Sequence, residues 1–455
     1  MNQYSIFTTI TDQGPFITGL ILHFDSLIRG TEICAEGFNV YVERRDEKTG
    51  EVLPVPNFGG GPVELSLGYR KVLDAYPCTP EGKRLKAGKD IFLELGEAPL
   101  GKRTQGSMLE SRYIDVFHRI TQLCPIPAED PNAAPLCGNV FTECIGDVSP
   151  QTEGWAVEHV VYGEGTATEG VASETKDKKK GLPEKLGYAY FIPTRKAPKN
   201  FLRPGEELKS DEKLPLVIWL HGAGEGGEDP WIAVTGNKVV NMSSNDLQNK
   251  LGGAAFVLAP QCPTVWMDDG VEQLGTSNQS IYVKLVKQCI DDFVEAHKEQ
   301  IDTDRIMIGG DSNGGFMTMR MIVDYPDFFA AAFPACQVFY SENLTEEMLQ
   351  SIKDNAIWFI HSRQDELVPP METSVPIYHR LIEAGAKDVH FTFLDHMEDL
   401  TGMYKDEKGR PMRIFNHGVW IHVYNDQIDT DFDGTKVCVD GQPSTLFEWL
   451  GSQRR

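Results

Sequence analysis

The stretch Ile306–Ile322, IMIGGDSNGGFMTMRMI, places four glycines and a serine between a short apolar run and a longer one. Such a segment suits a connector, a phosphate-binding loop or the seat of a nucleophile. Within it, Gly310-Asp311-Ser312-Asn313-Gly314 has the spacing G-x-S-x-G. The strand-like RIMI precedes it and the helix-like GFMTMRMIVDY follows. A sharp strand-to-helix turn of this kind presents the serine hydroxyl from a strained backbone. Small residues at Gly310 and Gly314 let the turn close and the helix pack on the strand. No G-x-x-x-x-G-K-[ST] occurs here, which disfavours a phosphate loop.

Outward from this turn, buried runs alternate with helical periodicity. Leu214–Leu220, Ala254–Pro260, Arg305–Gly310, Ala356–Ser362 and Val389–Leu394 are near-continuous apolar runs, as expected of strands covered on both faces. YVKLVKQCIDDFVEAHKEQ puts Val283, Val286, Ile290, Phe293 and Val294 on one helical stripe. VPIYHRLIEAGA is a second helix ending at a glycine cap. The alternation predicts a doubly wound, mostly parallel α/β sheet over 151–455.

In such sheets function gathers at the carboxyl ends of the strands. A serine hydroxyl needs a base, and the base needs an orienting carboxylate, in the chain order Ser, Asp or Glu, His. Asp365 lies just past Ala356–Ser362 and is the expected acid, with Glu366 as its rival. The expected base is His417, between the last strand and the helix STLFEWL, and His396 is the alternative. His361, His379, His390 and His422 are read as structural. The oxyanion of a tetrahedral intermediate needs backbone donors. Asn313, after the nucleophile, is one. HGAG (His221–Gly224), directly after Leu214–Leu220, supplies the other, with Ala223 preferred and Gly224 second. Asp311 is read as solvated or as a cap on neighbouring backbone, and Asn313 as acting through its N–H alone.

The amino-terminal part reads as β. GFNVYVER, PVELSL (Val63, Leu65, Leu67) and KDIFLELG alternate or run apolar between turn-rich pieces, which suggests an antiparallel sandwich over 1–150. Proline-rich 125–150 is expected to lead between domains. Polar 163–185 is expected to be a solvated insertion between two neighbouring strands. The 455 residues suit two domains or three, and 41% hydrophobic with 24% charged residues suits a globular chain. The net charge of −24 argues against nucleic acid or anionic membrane as partner. There is no apolar run of about 18 residues and no signal-like start, so a cytoplasmic protein is expected. The nine cysteines lack metal spacing and are read as mostly reduced and buried, with a Cys137–Cys144 disulfide as the second reading.

LHGAGEGG, APQCPTVW, GGDSNGG, HSRQDELVPP and HGVW…LFEWL together resemble α/β-hydrolase-fold serine esterases of the depolymerase-like and prolyl-oligopeptidase-like group. Those with an amino-terminal immunoglobulin-like domain are the nearest in pattern. The resemblance implies Ser312 as nucleophile, Asp365 as acid and His417 as base, with no cofactor or metal. It implies a carboxylesterase acting on small-molecule esters, short-chain or of feruloyl or cinnamoyl type. A prolyl-oligopeptidase-like peptidase is the alternative, and a non-catalytic binding protein ranks third. It also implies assembly into a homo-oligomer through the amino-terminal domain. Trp266 is a candidate pocket wall or a core aromatic. One departure stands out: Met397–Asn416 separates the last strand from His417, where the group has a short connection.

Overall fold

The structure is a computed structural model describing residues 2–30, 33–54, 65–96, 100–107, 109–127, 134–161, 185–198, 205–209, 211–400 and 405–455. The expected insertion at 163–185 and Val63 fall outside these, apart from Lys185. The chain divides into two compact units, 1–104 with 112–153, and 105–111 with 154–455.

The first unit is all-β. Its strands are β1 (Gln3–Thr11), β2 (Gly14–Arg29), β3 (Phe38–Arg45), β4 (Leu67–Arg70), β5 (Val72–Cys78), β6 (Ala87–Leu95) and β7 (Leu100–Gly101). After the short pair β8 (Arg103–Ser107) and β9 (Glu110–Tyr113) come β10 (Asp115–Gln122), β11 (Val140–Phe141) and β12 (Glu143–Val148). One sheet has the order β12-β1-β2-β6-β5 with β7 on β2, and the other runs β11-β10-β3-β4. The alternation in GFNVYVER works as read. Phe38, Val40 and Val42 are buried together with Ile17, Leu20, Leu22, Ile91, Leu93 and Ile120.

Three expectations fail here. The proline-rich 125–150 segment is no plain connector, because β11 and β12 complete the two sheets. Leu65 and Leu67 are exposed, since β4 is a four-residue edge strand whose alternation marks no core face. All nine cysteines are free, in line with the reduced reading, but Cys34, Cys124, Cys137, Cys144 and Cys438 are exposed rather than buried. Cys137 leads into β11 in one sheet and Cys144 lies in β12 in the other, which explains why they do not pair.

The second unit is built on eight strands: β13 (Trp155–Val161), β14 (Lys185–Phe191), β15 (Leu214–Leu220), β16 (Phe256–Gln261), β17 (Ile301–Asp311), β18 (Ala331–Ala335), β19 (Ala356–Ser362) and β20 (Val389–Leu394). Their order is β13-β14-β16-β15-β17-β18-β19-β20. β13 and β14 pair antiparallel, with Trp155 opposite Phe191, and from β16 onward the pairs are parallel. Every residue of β15, β16, β18 and β19 is buried, the mark of strands covered on both faces. The helices are α1 (Ile232–Thr235), α2 (Asn245–Lys250), α3 (Val283–Ala296), α4 (Asn313–Asp324), α5 (Glu346–Ile352), α6 (Ser374–Glu383), α7 (Trp420–Tyr424) and α8 (Leu446–Ser452). On α3 the buried stripe is Leu285, Val286, Cys289, Ile290 and Phe293, one step from the stripe expected at its ends. α6 stops before Gly385, which has φ +86°. Because β15, β17, β19 and β20 run parallel, the loops that follow them emerge at one edge of the sheet.

Candidate active site

Ser312 sits between β17 and α4 with φ 52° and ψ −111°. A non-glycine residue holds that conformation only when its surroundings enforce it. The Ser312 N–H donates to Ala335 O at 2.8 Å, and its carbonyl accepts the Phe316 N–H at 2.9 Å, the first bond of α4. The glycines are steric requirements. A Cβ on Gly314 would lie 1.8 Å from Leu220 O, and one on Gly310 2.5 Å from the same oxygen. Both obstacles are backbone, so neither can move aside.

His417 reaches this serine. Its Nε2 lies 2.8 Å from Ser312 Oγ and its Nδ1 2.7 Å from Asp365 Oδ2. The ring is 3% exposed and edge-on to Phe415 and Trp420. The Asp365 carboxylate is fully buried and collects four donors. Oδ1 accepts the N–H groups of Leu367 (2.8 Å) and Val368 (2.9 Å), and Oδ2 is shared by His417 and His361. Burial pushes its proton affinity up, but the bonds from His361 and His417 outweigh it and hold the carboxyl well below the usual carboxylate range. Glu366 instead accepts from Asn416 Nδ2, and His396 pairs with Glu398 at 3.0 Å.

The segment 397–416 that separates β20 from His417 is closed at its base. Met397 N–H donates to Asn416 Oδ1 at 2.8 Å, and Ile414 N–H to Met397 O at 3.2 Å. The excursion returns the chain to where β20 ended, so His417 stands in space where a short connection would put it. Asn416 Nδ2 then ties this turn to the acid loop through Glu366.

The loop after β15 is held from several sides. His221, 1% exposed, donates from Nδ1 to Gly222 O at 2.8 Å and accepts the Cys262 N–H on Nε2 at 2.9 Å. This fixes its neutral tautomer, and burial pushes its pKa down to about 4. The Gly222 N–H donates to Glu225 Oε2 at 3.1 Å. Ala223 begins a short 3₁₀ turn, Ala223–Glu225, and Asn313 begins α4. First-turn N–H groups have no acceptor within their own helix, so both are suited to receive an oxyanion. Gly224 is partly exposed, and its carbonyl accepts the Ser111 hydroxyl. The Ser111 N–H adds a 2.9 Å bond to Gly226 O. Ser111 belongs to 105–111, which clusters with this unit although it lies among strands of the other. No motif in the sequence signals that excursion.

Three readings are corrected. Trp266 is 0% exposed and walls no open pocket. Its N–H donates to Asn313 Oδ1, and its Nε1 to His221 O at 3.0 Å, so it ties the turn after β17 to the loop after β15. The Asn313 side chain therefore has a bonding role of its own. Asp311 is 1% exposed rather than solvated, because the tightness of the turn drives it inward beside Gly222. A Cβ on Gly222 would lie 2.6 Å from Asp311 Oδ2. Burial, and then the Glu225 charge, raise the proton affinity of Asp311 well above that of an ordinary carboxylate. Among the described residues no three His, Cys, Asp or Glu side chains are arranged to hold a metal ion.

The fold of the second unit, the elbow at Ser312 and the hydrogen-bonded Asp365 and His417 meet in one architecture. The chain has the α/β-hydrolase fold. A profile of the prolyl oligopeptidase family matches residues 269–352, which include the elbow. A crystal structure of a thermostable esterase superposes with TM-score 0.69 at 22% identity over 99% of both chains. An uncharacterized secreted protein of Arthroderma benhamiae is 26% identical over 260 residues. That match takes in 55% of this chain and 26% of the fungal protein's length.

Proposed function

We propose that this α/β-hydrolase cleaves carboxylic esters through an acyl-enzyme. The unbroken hydrogen-bonded series Ser312–His417–Asp365 on the strained turn carries this reading. Ser312 Oγ attacks the ester carbonyl carbon while His417 Nε2 takes its proton. The carbonyl oxygen becomes the oxyanion and is met by the Asn313 and Ala223 N–H groups. Asp365 holds the imidazole by Nδ1 and stabilises its cation. Collapse breaks the bond to the alcohol oxygen, which receives the proton from His417. Water, deprotonated by His417, then attacks the acyl-serine and restores Ser312. The prolyl oligopeptidase match over 269–352 favours a peptidase as the second reading.

The test uses p-nitrophenyl acyl and cinnamoyl-type esters beside aminoacyl p-nitroanilides, together with fluorophosphonate labelling. Ester turnover with Ser312 labelled is expected, and Ser312→Ala should lower kcat by ~10⁴–10⁶-fold with the fold intact. Turnover of anilides alone favours the peptidase, and an unlabelled Ser312 in folded protein refutes both.

A further inference from the structure

We propose that His361 is a positioning residue for the acid of this site, making the triad part of a longer, one-directional hydrogen-bond relay. The proposal rests on the hydrolase reading above. His361 lies near the end of β19 and is 0% exposed. Its Nε2 stands 3.0 Å from Asp365 Oδ2, the oxygen that also binds His417 Nδ1 at 2.7 Å. A buried carboxylate oxygen only accepts, so both imidazoles donate to it. His361 is then protonated on Nε2, and its Nδ1 must accept. The group facing Nδ1 is Ser374 Oγ, at 2.9 Å, on the first residue of α6. Ser374 Oγ itself accepts from Gln337 Nε2 at 3.2 Å, and Gln337 Oε1 accepts the Phe339 N–H. Donation therefore runs Gln337 to Ser374 to His361 to Asp365, while His417 donates to the same oxygen from the other side.

This polarity has a chemical consequence. With Leu367 and Val368 on Oδ1 and two imidazoles on Oδ2, the carboxylate has all four lone-pair positions filled and cannot rotate. Burial lowers the proton affinity of His361 and outweighs the pull of Asp365, which favours a fixed dipole over a competing cation. The titratable groups facing this region are Asp365, His417 and Cys336, and burial holds the Cys336 thiol neutral. If the His361 donor is lost, the Asp365 charge is less neutralised from behind. It then binds the imidazolium of His417 more strongly, and with one donor fewer it is held less firmly in the orientation that catalysis needs.

The test compares full-length wild type with His361→Phe, His361→Gln and His361→Asn on p-nitrophenyl acetate across pH 5–9, with folding checked by circular dichroism. The Gln amide nitrogen reaches the Nε2 position and the Asn amide nitrogen does not. For Phe and Asn we expect kcat down about 10- to 100-fold with KM little changed. The acid limb of kcat/KM should move up by about half to one pH unit. Gln should recover most of both. If Phe does not fold, Asn against Gln decides. A folded Phe or Asn variant with the wild-type limb and kcat overturns the proposal. So does a Gln variant no better than Asn, or a loss that merely tracks the folded fraction with an unmoved limb. A wild type inert towards esters and fluorophosphonate sinks the hydrolase reading itself, and that outcome is distinct from these.

Discussion

Ser312 is held at φ 52° and ψ −111°, a conformation open to glycine and costly for every other residue. The comparison that isolates this cost is Ser312→Gly against Ser312→Ala. Both lose the hydroxyl and its bond to His417, so catalysis and that bond cancel. Alanine keeps a Cβ and with it a strain of about 1–3 kcal/mol. Glycine sheds the strain but gives back about 0.5–1 kcal/mol through the greater freedom of its unfolded chain. The difference should favour glycine by about 1 kcal/mol, or a few degrees in Tm at most for a body of this size. All seven tryptophans (Trp155, Trp219, Trp231, Trp266, Trp358, Trp420, Trp449) lie in 154–455, so tryptophan fluorescence in a urea titration follows that unit alone. A midpoint for Ser312→Ala equal to or above that of Ser312→Gly, at equal slope, would refute the claim that this turn stores strain.

His417→Ala should lower kcat by at least ~10⁴-fold and His396→Ala by less than about threefold, since His396 pairs with Glu398 and not with Ser312 or Asp365. Steady-state kinetics with a shared ester decide it, and a severe His396→Ala would reassign the base. Asn313→Ala leaves the buried Trp266 N–H without its acceptor and should cost about 1–3 kcal/mol of stability, read by denaturant titration. His390 lies between Asp388 (3.2 Å) and Asp431 (2.8 Å). Burial works against its charge, but the two carboxylates prevail and raise its pKa to about 9. Its folded value thus exceeds its ordinary one of about 6.5. The stability it adds is complete below about pH 6.5 and fades as pH rises through about 9. His390→Gln should flatten that part of the stability–pH curve, and an unchanged slope would count against the ion pairs.

Much of the second unit was legible because its signals are local and ordered. An apolar run buried on both faces, a glycine-flanked serine and an acid just past a strand each depend on a few neighbouring residues. What stayed hidden depends on segments that meet only after folding. Asp311 reads as a polar residue in a turn, but the turn is so tight that Asp311 is driven against Gly222, where burial raises its proton affinity. Trp266 and Asn313 are 47 positions apart, and no periodicity joins them. In the sequence Ser111 falls between segments of the first unit, yet the folded chain groups it with the second, where its N–H bonds Gly226 O. His361 reads as a strand histidine because only the folded chain shows that it shares an oxygen with His417.

The choice between His396 and His417 shows why sequence distance misleads here. Counted along the chain, His396 is two residues past β20 and His417 is twenty-three past it. Counted in space the order reverses, because Met397 and Asn416 are hydrogen-bonded at the base of the excursion and the residues between them add length without displacement. Closing a flexible loop costs entropy that grows only with the logarithm of its length, so a long excursion with a closed base is cheap to accommodate. Backbone bonds from Ile414 to Met397 and from Asp399 to Met412 close it, and one amide side chain links it to the loop of Asp365. Asn416 receives the Met397 N–H on Oδ1 and passes its own N–H to Glu366, joining the base's turn to the acid's loop. Asn416→Ala should therefore lower kcat by about 10-fold or more through a misplaced imidazole, with fluorophosphonate labelling of Ser312 slowed in proportion and KM little changed. If Asn416→Ala labels at the wild-type rate, the excursion does not depend on that clasp, and the placement of His417 must come from Trp420 and Phe415 packing on its ring instead.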